Sequence, residues 1–432
     1  MLWLLLYNIL FLPLVWIFFK IYSLFNDKVR EGFIGRSKIF NELKQSLSAL
    51  DKNKKTILIH CSSLGEYQQA LPFLEELVKK NYNIVLSFFS PSGYKNAKIP
   101  QGNIIKCYLP FDTKSAVIKF IDEINPAKIF FIRYDLWLNL INEAKKKNIS
   151  LYLVNARYDE KDTTWKLPIA VSFKKYLYGL LDKIFVIDEY DEKNYKEKLR
   201  GYKTEVIKVG DSKFERVYES SKKIQAKKII EEKIIKDKKI FVIGSSWKDD
   251  EDVILPVLDK IVNYEENLLT FLVPHEPKAT KIKAIEDYIE ENYPNLKTIR
   301  YSHLQNYSYQ NVIIVDTIGI LYSLYSIAYV SYVGGGHKTG LHNILEPAIF
   351  NMPVFFSNKV KNSDEDEIMI SSGAGILVND SKDFYKNFRN ILSNKHLRNS
   401  VGEKCSIVFE NNLGIAKKVI TEIQNSEFRI QN

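Results

Sequence analysis

The 432-residue chain has only three cysteines, Cys61, Cys107 and Cys405, far apart and without a CxxC pair. That excludes a disulfide framework or a thiolate zinc site as the main organiser, and it suits a reducing compartment. The six histidines show no metal-binding spacing such as HExxH. His337 and His342, five apart in a glycine-rich stretch, make a weak metal pair, so no metal is expected. There is no recognisable RNA- or DNA-binding motif, and the aromatics lie largely inside apolar runs. No nucleic-acid partner is expected, although the net charge of +10 favours anionic partners such as an acidic membrane surface or a phosphorylated substrate. The 46% hydrophobic and 26% charged fractions are those of a folded protein, and the length suits two or three domains better than one.

Charge is absent from Met1 to Phe19. About 19 residues at 1.5 Å each reach roughly 28 Å, close to the thickness of a bilayer core. Trp3, Tyr7, Trp16 and Tyr22 suit the interfaces. Lys20, Lys28, Arg30, Arg36 and Lys38 follow, which by the positive-inside rule puts the body in the cytoplasm. The favoured reading of residues 1–25 is therefore a membrane anchor helix. A cleaved signal peptide lacks its basic n-region and its small-residue cleavage site here. A helix lying in the interface, broken at Pro13, is a further rival.

From Lys55 onward, short apolar runs alternate with amphipathic segments, which predicts parallel sheets covered by helices. The first series of strands runs from Thr56–His60 to Val206–Val209. The second runs from Ile240–Ile243 to Gly375–Val378. The polar, basic stretch Ser220 to Lys239 reads as a surface helix at the boundary between them. The expected fold class is α/β, with two Rossmann-like domains facing across a cleft, residues 26–218 and 219–432. In such folds ligands collect at the carboxyl ends of the strands.

The polar clusters fall at those ends. Glu66 opens a helix after the first strand, in His60-Cys-Ser-Ser-Leu-Gly-Glu66. A first-turn Glu is favoured by the helix dipole anyway, but one on a cleft floor can also act as a general base. Ile132-Arg-Tyr-Asp-Leu-Trp137 carries Asp135, and Val209-Gly-Asp-Ser-Lys-Phe214 carries Lys213. Such residues are often ion-paired or solvated, but in a cleft Lys213 could neutralise a leaving phosphate. In the second half come Gly244-Ser-Ser-Trp-Lys-Asp-Asp-Glu251, Val273-Pro-His-Glu-Pro277 and Val315-Asp-Thr-Ile-Gly-Ile320. The last cluster is Tyr332-Val-Gly-Gly-Gly-His-Lys-Thr-Gly-Leu-His-Asn-Ile-Leu-Glu-Pro347. Its glycines permit close backbone approach, a following helix would offer N–H groups to an anion, and Asn343 and Glu346 would share a helix face. Four polar loops on one rim suggest a phosphate-containing ligand.

Taken in order, these clusters resemble the 3-deoxy-D-manno-octulosonic acid (Kdo) transferases of lipid A assembly. The family's HxxSxGE pattern is His60 to Glu66. TELWPN is Tyr134-Asp-Leu-Trp-Leu-Asn139, NAR is Asn155-Ala-Arg157, and GNLKFD is Gly210-Asp-Ser-Lys-Phe-Glu215. GSTHEGEE is Gly244 to Glu251, DTMGEL is Asp316 to Leu321, and GGHNPLEP is Thr339 to Pro347. The resemblance implies a membrane-anchored glycosyltransferase of GT-B architecture at the cytoplasmic face of the bacterial inner membrane, working without a cofactor. It implies CMP-Kdo as donor, a lipid A precursor (lipid IVA) as acceptor, and inversion at the anomeric carbon. Glu66 matches the base, and Asp135 and Lys213 match transition-state stabilisers. His275, Glu276, Ile318, Gly319, Ile320, Asn343, Ile344, Leu345 and Glu346 match the CMP-binding segments.

The chain departs from the pattern at several points. Asp135 stands for a Glu, Leu138 for a Pro and Ile320 for a Glu, and the donor loop at His275-Glu276 lacks an expected Arg. The competing readings are a membrane-associated transferase using a UDP- or GDP-sugar, and a non-catalytic nucleotide-sugar-binding scaffold.

Overall fold

The computed structural model describes residues 2–159, 161–222, 224, 229–336, 340–359 and 365–431, with side chains described to residue 425. It divides into two compact units, residues 1–216 with 412–432, and residues 217–411.

The first unit is built on seven parallel strands: β1 Thr56–Cys61, β2 Asn83–Phe88, β3 Ile104–Tyr108, β4 Lys128–Ile132, β5 Ser150–Ala156, β6 Lys183–Val186 and β7 Glu205–Lys208. Their order is β3-β2-β1-β4-β5-β6-β7. Helices cover both faces, so the central strands are buried on both sides and read as continuous apolar runs such as Ile-Phe-Phe-Ile in β4. Strand order reverses at β1, between β2 and β4, and that reversal is where such sheets open a crevice at their carboxyl ends.

The second unit repeats the plan with β8 Lys239–Ser246, β9 Leu268–Pro274, β10 Thr298–Arg300, β11 Val312–Ile314, β12 Val330–Val333, β13 Val354–Ser357 and β14 Gly375–Val378. Their order is β10-β11-β9-β8-β12-β13-β14, all parallel. Its reversal lies at β8, between β9 and β12.

Two sequence expectations, and the break at Pro13 in the rival reading of the N-terminus, need correction. The stretch Ser220 to Lys239 is not one helix. The helix Ser212–Lys222 ends inside it, and a four-residue turn of helix, Glu232–Ile235, stands three residues before β8. Residues 412–432 belong to the first unit rather than the second. The helix Ile415–Gln431 buries Ile415, Ala416, Val419, Ile420 and Ile423 in the first unit's core, and Glu422 pairs with Lys183 at 2.9 Å. Pro13 does not break the N-terminal helix, which runs Leu2–Tyr22. The π-helical stretch Tyr7–Phe11 lies just before it, and Pro13 sits in the first turn of the α-helical segment that follows, where its missing N–H is tolerated.

That N-terminal helix is long and apolar enough to cross a membrane. One face packs on the first unit, with Tyr7 and Leu12 buried. The Tyr7 hydroxyl donates to Asp112 at 2.9 Å, and Asn8 and Asn139 exchange amide hydrogen bonds at 2.7 and 3.0 Å. Its other face exposes Leu5, Ile9, Leu10, Leu14, Ile17 and Phe18.

Candidate functional site

Glu66 lies in the first turn of the helix Leu64–Lys79, directly after β1, with Ser63 as the N-cap. Its carboxylate accepts the Ser62 backbone N–H. Burial, together with the charge of Asp135, pushes its pKa up to about 7 against the Ser62 hydrogen bond. A carboxyl held near neutrality can take a proton at near-neutral pH.

Asp135 follows β4, the strand paired with β1. Its carboxylate meets His60 Nε2 at 2.7 Å, and His60 Nδ1 meets Ser87 Oγ at 3.0 Å. The parallel register sets His60 opposite Ser87, so the imidazole is clamped between strands and fully buried. Burial alone would raise Asp135. The hydrogen bond and charge of His60, with a further contribution from Ser62, outweigh it and hold the carboxyl below its ordinary value. Glu66 and Asp135 therefore sit together on Ser62 as a pair whose pKa values are pushed apart. The sequence reading did not single out His60 as Asp135's partner. The two are 75 residues apart, and only the pairing of β1 with β4 joins them.

Lys213 stands at the start of the helix Ser212–Lys222, where its N–H donates to Asp211 at 2.9 Å. Ser212 ties this turn to the Glu66 helix by donating to the Gln69 carbonyl at 2.8 Å, and Asn155 donates to Ser212. Asn155 and Arg133 hold φ of 54° and 65° at strand ends. Non-glycine residues in that region store strain of order 1–3 kcal/mol, and such strain concentrates at functional sites.

In the second unit, the Asp250 carboxylate is fully buried and gathers three donors: the Trp247 and Gly335 N–H groups and the Tyr332 hydroxyl, each at 3.0 Å. It thereby joins the loops after β8 and β12. Gly335 has φ of 94°, and a Cβ there would stand 2.7 Å from the His342 ring, so only glycine fits. His275 follows β9 with an exposed edge, and Glu276 is paired with Lys278 at 2.9 Å. Ile318 is fully open to solvent beside Gly319, whose φ is 91°, and Ile320 caps the helix Leu321–Tyr325.

Asn343 Nδ2 donates to Glu346 at 3.1 Å, so the two side chains do meet. They do so across the start of a four-residue helix, Leu345–Ala348, which is too short to serve as an anion site by its dipole. Ile344 and Leu345 turn their side chains into the core, leaving only backbone for a ligand. His337 and Thr339 lie outside the described residues. Among the described residues no group of three His, Cys, Asp or Glu side chains could hold a metal ion.

Residues 37–216 match the family described as 3-deoxy-D-manno-octulosonic-acid transferase (kdotransferase). The chain is 32% identical over 397 residues to a bifunctional glycosyltransferase/methyltransferase of Fusobacterium nucleatum, covering 88% of this chain and 59% of that protein. It is 26% identical over 374 residues to the 3-deoxy-D-manno-octulosonic acid transferase of Haemophilus influenzae, covering 84% and 85%. Its fold is similar to that of the UDP-GlcNAc 2-epimerase from Neisseria meningitidis bound to UDP-GlcNAc, with a TM-score of 0.59 at 13% identity, covering 86% of this chain and 100% of that one.

The two parallel sheets give the chain two Rossmann-like units, and its sequence is similar to those of glycosyltransferases. Within that class its similarity is to the Kdo transferases, as the ordered motifs led one to expect.

Proposed function

We propose that the chain transfers Kdo from CMP-Kdo to a lipid A precursor of the lipid IVA kind, with inversion. The observation that carries the reading is Glu66, buried after β1 with its pKa raised to about 7, beside an anionic Asp135, in a kdotransferase domain. Glu66 takes the proton of the acceptor hydroxyl as that oxygen attacks the Kdo anomeric carbon, and CMP departs from the opposite face. Lys213 offsets the charge that develops on the leaving phosphate. At comparable sites, removing such a stabilising group costs roughly 3–4 kcal/mol of barrier. In the donor unit, His275, Glu276, residues 318–320 and residues 343–346 would bind the CMP group.

The chain would work at the cytoplasmic face of the bacterial inner membrane. Two features support this reading: the outward apolar face of Leu2–Tyr22, and the exposed Leu167 and Ile169 beside it. Between that helix and the segment Leu167–Phe173 runs an apolar groove of about 550 Å³, lined by Trp3, Leu6, Leu10 and Phe11, which suits an acyl chain.

The test is a donor panel of CMP-Kdo, UDP-sugars and GDP-sugars, incubated with full-length protein and a tetraacylated lipid A precursor, with products read by mass spectrometry. The expected result is a mass gain of one or more Kdo units from CMP-Kdo alone. Transfer only from a UDP- or GDP-sugar would overturn the donor, and no transfer from any would favour a binding scaffold.

A further inference from the structure

The helix Asp27–Ser37 places Lys28, Gly32 and Arg36 at intervals of four, on one face. With Ser90, Ser92 and Phe111, that face lines a cavity of about 360 Å³ in the first unit. Gly32 makes room for the guanidinium, since a Cβ there would stand 2.9 Å from Arg36 Nη1. Arg36 donates to the carbonyls of Gly32, Leu109 and Phe89, and its Cζ lies 4.3 Å from the centroid of the Phe89 ring. Three of its five N–H donors are thereby spent on neutral acceptors.

No acid answers this charge. The side chains lining the cavity include no Asp or Glu. The two acids of the helix are taken by other cations, Asp27 by Arg30 and Glu31 by Lys95. Burial pushes Arg36 down to about 10, which leaves it a cation at neutral pH. Lys28, exposed at the rim, has no ion-pair partner among the described residues, and the Ser92 hydroxyl makes no hydrogen bond there. Lys20 Nζ, 5.3 Å from the centroid of the Phe33 ring, adds a third cation beside the cavity. Carbonyls and a ring explain how Arg36 is held. They do not explain a basic cavity without an acid. A guanidinium, an ammonium and a hydroxyl around one space are the donor set of a phosphate.

The position of the cavity says which phosphate. The Ser90 N–H donates to the Ser62 carbonyl at 2.9 Å, and the Ser62 N–H holds the Glu66 carboxylate. Phe89 stacks on Trp137, two residues after Asp135, at 5.0 Å and 28°. On the other side Phe19, near the end of the apolar N-terminal helix, meets Phe89 edge-on at 5.8 Å. The cavity thus lies between the Glu66–Asp135 pair and the helix that is apolar enough to cross a membrane. Glu66 is read above as facing the acceptor hydroxyl, so a phosphate bound here belongs to the acceptor.

We propose that this cavity is a phosphate subsite for the lipid acceptor: Arg36 and Lys28 bind a phosphate monoester on the glycolipid headgroup, Ser92 adds a hydroxyl donor, and together they fix which sugar hydroxyl meets Glu66. This rests on the acceptor reading given above and concerns residues that the reading leaves unassigned.

The experiment measures kcat and KM of full-length protein in non-ionic detergent micelles, with saturating CMP-Kdo, on a bisphosphorylated tetraacylated precursor and on its phosphate-free form. Far-UV circular dichroism checks the fold of each variant. In wild type the KM should be about tenfold or more higher for the phosphate-free acceptor, the scale of a charge-assisted phosphate contact. Lys28→Gln and Arg36→Gln should raise the KM for the bisphosphorylated acceptor and bring the ratio of the two KM values toward one, and Arg36→Lys should keep part of the ratio. Lys28 is exposed, so Lys28→Gln carries the test if Arg36→Gln does not fold. Equal use of the two acceptors by wild type, or a ratio unchanged in the variants, overturns the inference and leaves the proposed transfer standing. An equal rise in KM on both acceptors would make these cations general contacts with the micelle surface and also overturns it. Absence of transfer from CMP-Kdo to either acceptor by folded wild type overturns the proposed function and the inference with it.

Discussion

At the scale of the residue, the central pair is Glu66 and Asp135. They share Ser62 but are pushed in opposite directions: Glu66 up to about 7 by burial, Asp135 down by His60. The Asp135 charge adds to the burial that raises Glu66, so removing it should lower the Glu66 pKa. In Asp135→Asn the acid limb of the kcat/KM profile, expected near pH 7 in wild type, should move down by about half to one unit. The measurement is the pH–rate profile of both proteins, and an unmoved limb would mean that Asp135 acts only structurally. Much of this site was legible in the sequence, because Glu66, Asp135 and Lys213 each follow an apolar run. The His60 clamp was not legible, because nothing local links His60 to Ser87 or Asp135. The side chains of Ile344 and Leu345 were not legible either. A motif gives order along the chain, whereas burial is decided by packing, and both side chains are in the core.

At the scale of the element, Asp112 shows how one side chain can fasten two helices. It accepts the N–H groups of Asn139 and Leu140 at 2.8 and 2.9 Å, capping the helix Leu138–Lys146, and the Tyr7 hydroxyl from the N-terminal helix. Asp112→Ala leaves two buried backbone donors and a phenol unsatisfied, and should cost about 2–4 kcal/mol. Asp112→Asn retains one acceptor oxygen and should cost less. Urea denaturation of the three proteins checks the order, and an Ala variant as stable as wild type would refute it. Most strands were legible from their apolar runs, since buried parallel strands are apolar on both faces. Two edge strands, β3 and β10, were missed. The first is interrupted by Lys106, whose ammonium donates to the Tyr94 carbonyl, and the second has three half-buried residues. The apolar run that begins at Ile327 becomes strand only at Val330, because the Ile327 and Ala328 N–H groups still bond back to the preceding helix.

At the scale of the whole molecule, the chain pairs two parallel sheets with an apolar N-terminal helix. The sequence carried the two-sheet plan in its alternation of runs. It did not carry the return of the last helix to the first unit, because an amphipathic helix states that it packs and not where. The N-terminal helix was legible as apolar, but its polar ties through Tyr7 and Asn8 were not. Those ties hold one face to protein and leave the other exposed. Replacing Leu5, Ile9, Ile17 and Phe18 on the outer face with Ser should therefore leave folding intact and cut flotation with anionic vesicles about tenfold or more. Unchanged flotation would remove this face from membrane contact.

The most direct test of the account is the rate of Kdo transfer from CMP-Kdo by wild type and by Glu66→Gln, at pH 7.5, on the tetraacylated precursor. The account predicts a loss on the order of a hundredfold or more in kcat/KM, with CMP affinity unchanged. Transfer by Glu66→Gln at the wild-type rate would contradict it.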